Sequence, residues 1–492
     1  MPLRNIWPHS VPVTLLLTLT AGLLASVCSG AIDRAAAQAT APTMLDPDLR
    51  VRVVVNRLMT PVSLAFIGRR DILVTEKNTG KLKRFVNGNV TQVLDLPVNY
   101  ASERGLLGIA LHPSFPTNPG VYLYWTESTT GVDSNVLAET PLLGNRVDRH
   151  VWNGSTLTFD RNIIRLRALQ TDAGEPRRGS HNGGVLRFGP DGKLYVLVGD
   201  VGRRGWMQNL PCGPTATCPG PTVADDQFGG PQPDNNHLTG VVLRLNDDGS
   251  APADNPFFGT GAAMGGETGA NIQKIFAYGF RNGFGMAFDP TSGLLWTQEN
   301  GDDSFDEINL VKPGFNSGWI QIMGPARRIK QYKEIETSAE FSGLHASRWP
   351  PSRIAGTPSD ARSRLFALPG SQYSDPEFSW KFSVAPGALG FVKGKGLGLQ
   401  YRGNLFVGAA TTRVEGGYLF RFKLTSDHQA LALKGDLDDR VADNTTKFDL
   451  GESKRLLIGR NFGVATDIQT GPNGNLFVVS LSHGAIYEIL KR

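Results

Sequence analysis

Short apolar runs, each introduced by a turn, recur along most of the 492-residue chain. The unit is a turn rich in Gly, Asp, Asn or Pro followed by a few aliphatic and aromatic residues, the pattern of a buried strand. Six instances stand out, at 70–75 (RDILVT), 120–125 (GVYLYW), 191–196 (DGKLYV), 292–297 (SGLLWT), 402–407 (RGNLFV) and 473–478 (NGNLFV). Measured from Leu73 through Tyr122, Leu194, Leu295 and Leu405 to Leu476, the steps are 49, 72, 101, 110 and 71 residues. The shortest step fits one four-stranded blade, and the longer ones predict blades carrying inserted loops. The expectation is an all-β, six-bladed β-propeller with long inserted loops, in which radial repetition removes the open edges a sheet of this size would expose. The alternating segment 51–55 is expected to supply a strand that closes the ring against the last blade. Two stretches, 201–236 and 324–376, lack the strand pattern and read as long surface loops over one face, with a short helix within 327–340. No Gly/Ser linker divides residues 40–492, which predicts a single domain.

Composition narrows the class. The 58 glycines, about 12% of the chain, exceed the usual ~7% but carry no G-X-Y period, and 40% of residues are hydrophobic, which excludes collagen and disorder. Charged residues make up 19%, against about 25% in an average globular protein, which speaks against a coiled coil or helical bundle. The net charge of +5 is scattered, with no basic run interleaved with aromatics, so nucleic acid is not an expected partner.

Arg4 precedes an apolar stretch at 11–27, and small-residue sites follow at 29–31 (SGA) and 37–39 (AQA), the pattern of a secretory leader over residues 1–39. A permanent anchor is the rival reading, for which the run is marginal against a ~20-residue span. Lipidation at Cys28 is a second, although 25–27 (ASV) matches a lipoprotein leader poorly. A periplasmic or secreted location is therefore expected, with no stable membrane span after cleavage. In an oxidising compartment Cys212 and Cys218 suggest a local disulfide, the alternative being two ligands of a metal site.

Four segments place polar residues of catalytic type beside the repeat strands: 103–113 (ERGLLGIALHP), 180–184 (SHNGG), 278–288 (YGFRNGFGMAF) and 299–310 (ENGDDSFDEINL). The last three also have plain structural readings, in turn a turn-capping histidine, a surface arginine with an asparagine turn, and a solvated acidic turn. Together, and in this order, they resemble the glucose/sorbosone dehydrogenase family from about residue 50 to the C-terminus. The resemblance implies a soluble aldose sugar dehydrogenase, a six-bladed propeller using pyrroloquinoline quinone (PQQ) and Ca2+, with an aldose as substrate and an external electron acceptor. It assigns His181 as the general base toward the anomeric hydroxyl, a role that suits an imidazole of near-neutral pKa. It sets Arg281 and Asn282 against the cofactor, where a guanidinium can stabilise a developing oxyanion. Lys381, in 378–382 (FSWKF), matches the family's cofactor lysine, although a lone lysine in an aromatic strand also reads as solvent-facing. Main-chain carbonyls at Gly301 and Asp302 match the family's calcium ligands, oxygen donors of the kind calcium requires.

Three departures accompany the resemblance. Asp302 stands where the family commonly has proline, and Glu103 where some glucose-oxidising members have glutamine. Near the C-terminus, 462–468 (FGVATDI) carries no arginine where family members place arginines for the cofactor's carboxylates. Arg460 and Arg413 are candidate substitutes. The missing arginines leave open a non-catalytic propeller of the same ancestry that binds a carbohydrate or a protein. A calcium-dependent lactone hydrolase is a third reading, by fold analogy alone. Oligomeric state is not legible.

Overall fold

The computed structural model describes residues 41–169, 179–202, 238–319, 321–338 and 355–492. The leader at 1–39, Cys212, Cys218 and nearly all of the 201–236 stretch fall outside the described residues. Among those described, no helix is long and apolar enough to cross a membrane.

The strands of the described residues form six sheets. Each is built around an antiparallel meander of four strands, and the first strand of each packs against the first strand of the next. These inner strands are Pro61–Gly68, Leu106–Leu111, Val185–Phe188, Gly285–Phe288, Pro386–Phe391 and Ala465–Thr470, and the last returns to the first to complete a ring. The architecture is all-β and propeller-like. Each of the six turn-strand repeats supplies the second strand of a different sheet, from Asp71–Glu76 to Leu476–Ser480. Four of those turns place a glycine in the left-handed region, Gly192, Gly293, Gly403 and Gly474, at φ 72, 73, 73 and 78°. An L side chain rarely adopts that conformation, which explains why glycine recurs there.

The apolar core is correspondingly divided into wedges. Leu73, Leu106 and Leu123 fill the gap between the first and second sheets, and Tyr122, Leu186 and Val196 that between the second and third. The series continues round to Leu64, Val74 and Val479 between the sixth and the first. Near the axis the wedges narrow until backbones touch. A Cβ on Gly108 would lie 2.0 Å from the Gly184 carbonyl oxygen, and one on Gly390 2.1 Å from that of Ile468.

Closure depends on the two ends of the chain. Leu49–Val55 pairs antiparallel with the C-terminal strand Ala485–Lys491 and forms the outer edge of the sixth sheet, as the alternation at 51–55 predicts. Thr43–Met44 adds in the same way to the fifth sheet, against Leu457–Arg460. The 324–376 stretch holds the expected helix, Ile329–Thr337, whose Ile329 and Tyr332 pack with Phe305 and Met323 as a separate apolar cluster. Two helices that the apolar pattern does not announce, Phe258–Met264 and Gly266–Ile272, are made largely of small residues and carry no apolar stripe to mark them.

Ile489 is fully buried at this closure, paired with Val51 on one side and Leu476 on the other. Ile489→Ala is expected to lower the unfolding free energy by about 2–5 kcal/mol in denaturant titrations. Phe159→Ala, at an exposed outer strand, is expected to stay within about 0.5 kcal/mol of the parent.

Candidate active site

A cavity of about 540 Å3 opens at the middle of the ring, and every sheet or its adjoining loop contributes to the wall. That volume lies within the range of small-molecule sites. The site residues enter from turns that precede the inner strands (His181, Arg281, Asn282) or follow the second strands (Asp200 and 300–302), where side chains converge on one axis.

His181 lies just before the third sheet's inner strand, buried and with φ 59°. Its backbone N–H donates to Glu103 Oε2 at 2.5 Å, and Gly183 and Gly184 follow with positive φ. The imidazole Nδ1 is 2.6 Å from Asp200 Oδ1. Asp200 is fixed in turn by Trp319 Nε1 on Oδ2 at 2.9 Å and by the Gly202 N–H on Oδ1 at 2.7 Å. Burial pushes the Asp200 carboxyl up, but the His181 charge and hydrogen bond, with Arg281, outweigh it and hold the group below its usual range. An ionised Asp200 keeps the proton on Nδ1 and leaves Nε2 as the ring's acceptor.

Arg281 and Asn282 sit between Ile275–Tyr278 and Gly285–Phe288, at the passage from the third sheet to the fourth. The buried guanidinium donates through Nη1 to the carbonyls of Asn300 at 2.9 Å and Gly301 at 2.6 Å, and through Nη2 to Asp302 Oδ1 at 2.8 Å. It also lies 5.3 Å from the centre of the Trp319 ring. Burial disfavours its charge, but Asp302, Asp200 and Glu103 are among the carboxylates that raise its pKa. Asn282 Nδ2 is 3.4 Å from both carboxylate oxygens of Glu103. Three buried polar atoms here have no partner among the described residues, Arg281 Nε, Asn282 Oδ1 and Asn300 Oδ1.

The cavity thus brings together His181, Arg281, Asn282, Gly301 and Asp302, five of the six residues singled out in the sequence. Lys381 is the exception. Its strand, Phe378–Phe382, is fourth from the axis in its sheet, and its ammonium lies 4.0 Å from Asp443, off the cavity wall. A different lysine, Lys447, lines the cavity and pairs with the buried Asp303. Arg460 and Arg413 are likewise absent from the wall, whereas Arg187, of the third sheet's inner strand, is on it. Sequence reading also missed Asp200. The only mark of Asp200 is a Gly-Asp step after the third sheet's second strand, and nothing local pairs it with His181.

These residues can be tested against the two groups the resemblance implies. For an anionic, planar cofactor the wall offers Arg281, Arg187, Lys447 and Lys77, with the unpartnered Asn282 and Asn300 oxygens and Arg281 Nε left for a polar ligand to complete. For calcium, 300–302 offers oxygen donors only, the Gly301 carbonyl, the Asn300 side chain and the Asp302 carboxylate. The Gly301 carbonyl and Asp302 Oδ1 already accept from the Arg281 guanidinium, so they offer a hard cation a partial shell only through their remaining lone pairs.

Behind Arg281, two further acids face each other across paired strands, Glu299 and Glu307. Glu299 Oε2 accepts the Arg281 backbone N–H at 2.7 Å, Asn309 Nδ2 lies 3.1 Å from an oxygen of each acid, and Ser317 Oγ donates to Glu299 at 2.6 Å. Burial pushes Glu299 up to about 7, and burial with the Glu299 charge pushes Glu307 well above 4.5. Two such carboxyls cannot both ionise at close range.

The sequence model of the family described as Glucose / Sorbosone dehydrogenase matches residues 58–361. Quinoprotein glucose dehydrogenase B of Acinetobacter calcoaceticus is 34% identical over 280 residues, covering 56% of this chain and 52% of that protein. The chain therefore aligns with about half the length of that relative. Aldose sugar dehydrogenase YliI of Escherichia coli is 26% identical over 450 residues, 90% of this chain and 93% of that protein. Among solved structures, the apo-form of the soluble aldose sugar dehydrogenase from Escherichia coli superposes with a TM-score of 0.60 at 23% identity, covering 90% of this chain and all of that one. The PQQ-bound aldose sugar dehydrogenase from Streptomyces coelicolor gives 0.55 at 23% identity, covering 92% and 99%.

A raised carboxyl pKa in the fold stabilises fully below the unfolded value and is lost as pH climbs through the folded one. Wild-type unfolding free energy is therefore expected to fall as pH rises from about 5 to 8. Glu307→Gln, which mimics the protonated acid, should flatten that slope in denaturant titrations across pH. An unchanged slope would mean that Glu307 is not held protonated.

Proposed function

The chain belongs to the glucose/sorbosone dehydrogenase family, and we propose that it is a PQQ-dependent aldose dehydrogenase that oxidises its sugar at the anomeric carbon to the lactone. The observation that carries this reading is the buried His181–Asp200 pair at 2.6 Å in a central cavity walled by Arg281 and Asn282. We read each of the six sheets as one blade.

His181 Nε2 removes the proton of the anomeric hydroxyl. Asp200 stays ionised, keeps the imidazole in the tautomer that can accept, and stabilises the imidazolium that forms. Bound in the cavity, PQQ supplies the acceptor for the hydride of the anomeric carbon. Arg281 holds a fixed positive charge that favours negative charge developing nearby, and its bonds to the Asn300 and Gly301 carbonyls and to Asp302 mean that little reorganisation is needed. Lys447, on the wall, is the lysine we assign to the cofactor in place of Lys381. The main-chain carbonyls of Gly301 and Asp302 would contribute oxygens to calcium, that of Gly301 through the lone pair that Arg281 leaves open. The low-dielectric wall strengthens each of these interactions. Glu103, bonded to the His181 backbone and near Asn282, borders the sugar's position and is a candidate for its selection. The leader-like residues 1–39 support a periplasmic or secreted location, where an external acceptor would take the electrons.

The experiment is to load the purified protein with PQQ and calcium and follow dye reduction with a panel of aldoses. Turnover that is lost on chelation and restored by calcium is expected. His181→Ala and Asp200→Asn are each expected to lower kcat by roughly 10²–10⁴-fold, with PQQ binding retained. Full activity in His181→Ala would remove it from the role of base. PQQ bound without reduction by any sugar would instead favour a propeller that binds but does not catalyse.

A further inference from the structure

The cavity is crossed by one ion pair. Arg187 lies on the inner strand Val185–Phe188 and Asp467 on Ala465–Thr470, strands of the third and sixth sheets and so on opposite sides of the ring. Arg187 Nη2 nevertheless reaches Asp467 Oδ1 at 2.6 Å, and both residues line the cavity. An aspartate is too short to reach far, so the arginine spans most of the way across the axis.

The two partners differ in how much they need each other. Asp467 is buried, and its other oxygen accepts from Ser63 Oγ at 2.8 Å, the Leu64 N–H at 3.1 Å and Gln469 Nε2 at 2.8 Å. Three neutral donors therefore hold the carboxylate without the arginine. Arg187 makes only one other bond among the described residues, from Nη1 to its neighbour's carbonyl, Leu186 O, at 2.9 Å. A guanidinium has five N–H donors, so most of its fork is uncommitted. Its side chain is 18% exposed, against 4% for Arg281, whose Nη atoms are taken up by two carbonyls and Asp302. Lys447 is paired with Asp303, and Lys77 donates to Asn78 and to the carbonyls of Tyr100 and Ser102. Next to Asp467, the wall positions Val464 and Thr466 carry no charge.

We infer that Arg187 is the anion anchor of the cavity: its free N–H groups bind a carboxylate of the cofactor from the third sheet, supplying the guanidinium that the last sheet lacks. The inference rests on the proposed use of PQQ. A planar fork suits a carboxylate bidentately, which a lysine cannot reproduce. Asp467 then serves as a counter-charge that parks the fork over the cavity, and it competes with the incoming carboxylate for it.

The test is equilibrium binding of PQQ to the apo-protein in the presence of calcium, followed by tryptophan fluorescence quenching and equilibrium dialysis, with thermal melts run beside it. Arg187→Gln is expected to weaken binding roughly 10- to 100-fold, the worth of one or two charge-assisted bonds. Asp467→Asn breaks the same ion pair, but it is expected to tighten binding several-fold, because it removes the competing anion. PQQ trimethyl ester, which has no carboxylate, is expected to bind wild type and Arg187→Gln alike. If the pair only braces opposite sheets, both substitutions shift binding in the same direction, and the inference is overturned. Wild-type affinity in Arg187→Gln overturns it too. Should that variant fail to fold, Arg187→Lys takes its place, with an expected loss of at least about threefold from the missing fork; no loss overturns the inference. If wild type binds no PQQ at all, the proposed function falls along with it. If wild type binds and Arg187→Gln binds equally, only the role of Arg187 falls.

Discussion

Closure of the ring is the constraint on which everything else in this structure rests. Each sheet has two apolar faces, and a sheet alone would leave both in water. Six wedges of core are satisfied together only if the sixth sheet meets the first, and that meeting is secured by Leu49–Val55 pairing with Ala485–Lys491. A strand near each end of the described chain thus completes one sheet, so contacts hundreds of residues apart in sequence are adjacent in space. Near the axis the same constraint removes side chains, and Gly108 and Gly390 mark where two backbones leave no room for a Cβ.

What the closed ring builds at its centre is an electrostatic arrangement rather than a packed core. Acids of one chemical type are driven apart by their surroundings. Asp200 has a histidine, an indole N–H and a nearby guanidinium, and stays ionised. Glu299 and Glu307 are buried just as deeply but accept from neutral donors, and burial, with each acid beside the other, pushes them toward the neutral form. Arg281 ties the two environments together, since its backbone N–H is held by Glu299 while its charge favours Asp200 and Asp302. Separating titratable groups in this way is how one site can hold a fixed negative charge and a neutral acid at the same pH.

The sequence carried the radial repeat well, because a turn glycine followed by alternating apolar residues is a local signal and each repeat occupies an equivalent place in its own sheet. It carried His181, Arg281, Asn282, Gly301 and Asp302 because they lie in contiguous motifs whose turns all project to one axis. It did not say that Lys381 lies off the cavity wall and Lys447 on it, because neither the number of strands between a residue and the axis nor the course of a loop is written in alternation. Asp200 and Arg187 were illegible for a related reason. Their partners, His181 and Asp467, are 19 and 280 positions away, and pattern alone does not say which sheet faces which across a ring.

The shared wall of the cavity has a thermodynamic corollary. A ligand gripped by residues from every sheet binds only the closed ring, so its binding free energy is added to the cohesion of the whole chain through mass action. Occupancy and global stability therefore rise together, and the empty protein is the form most open to unfolding and proteolysis. A molecule seated on the axis would act as a seventh element of the architecture, a hub on which six otherwise separate wedges converge.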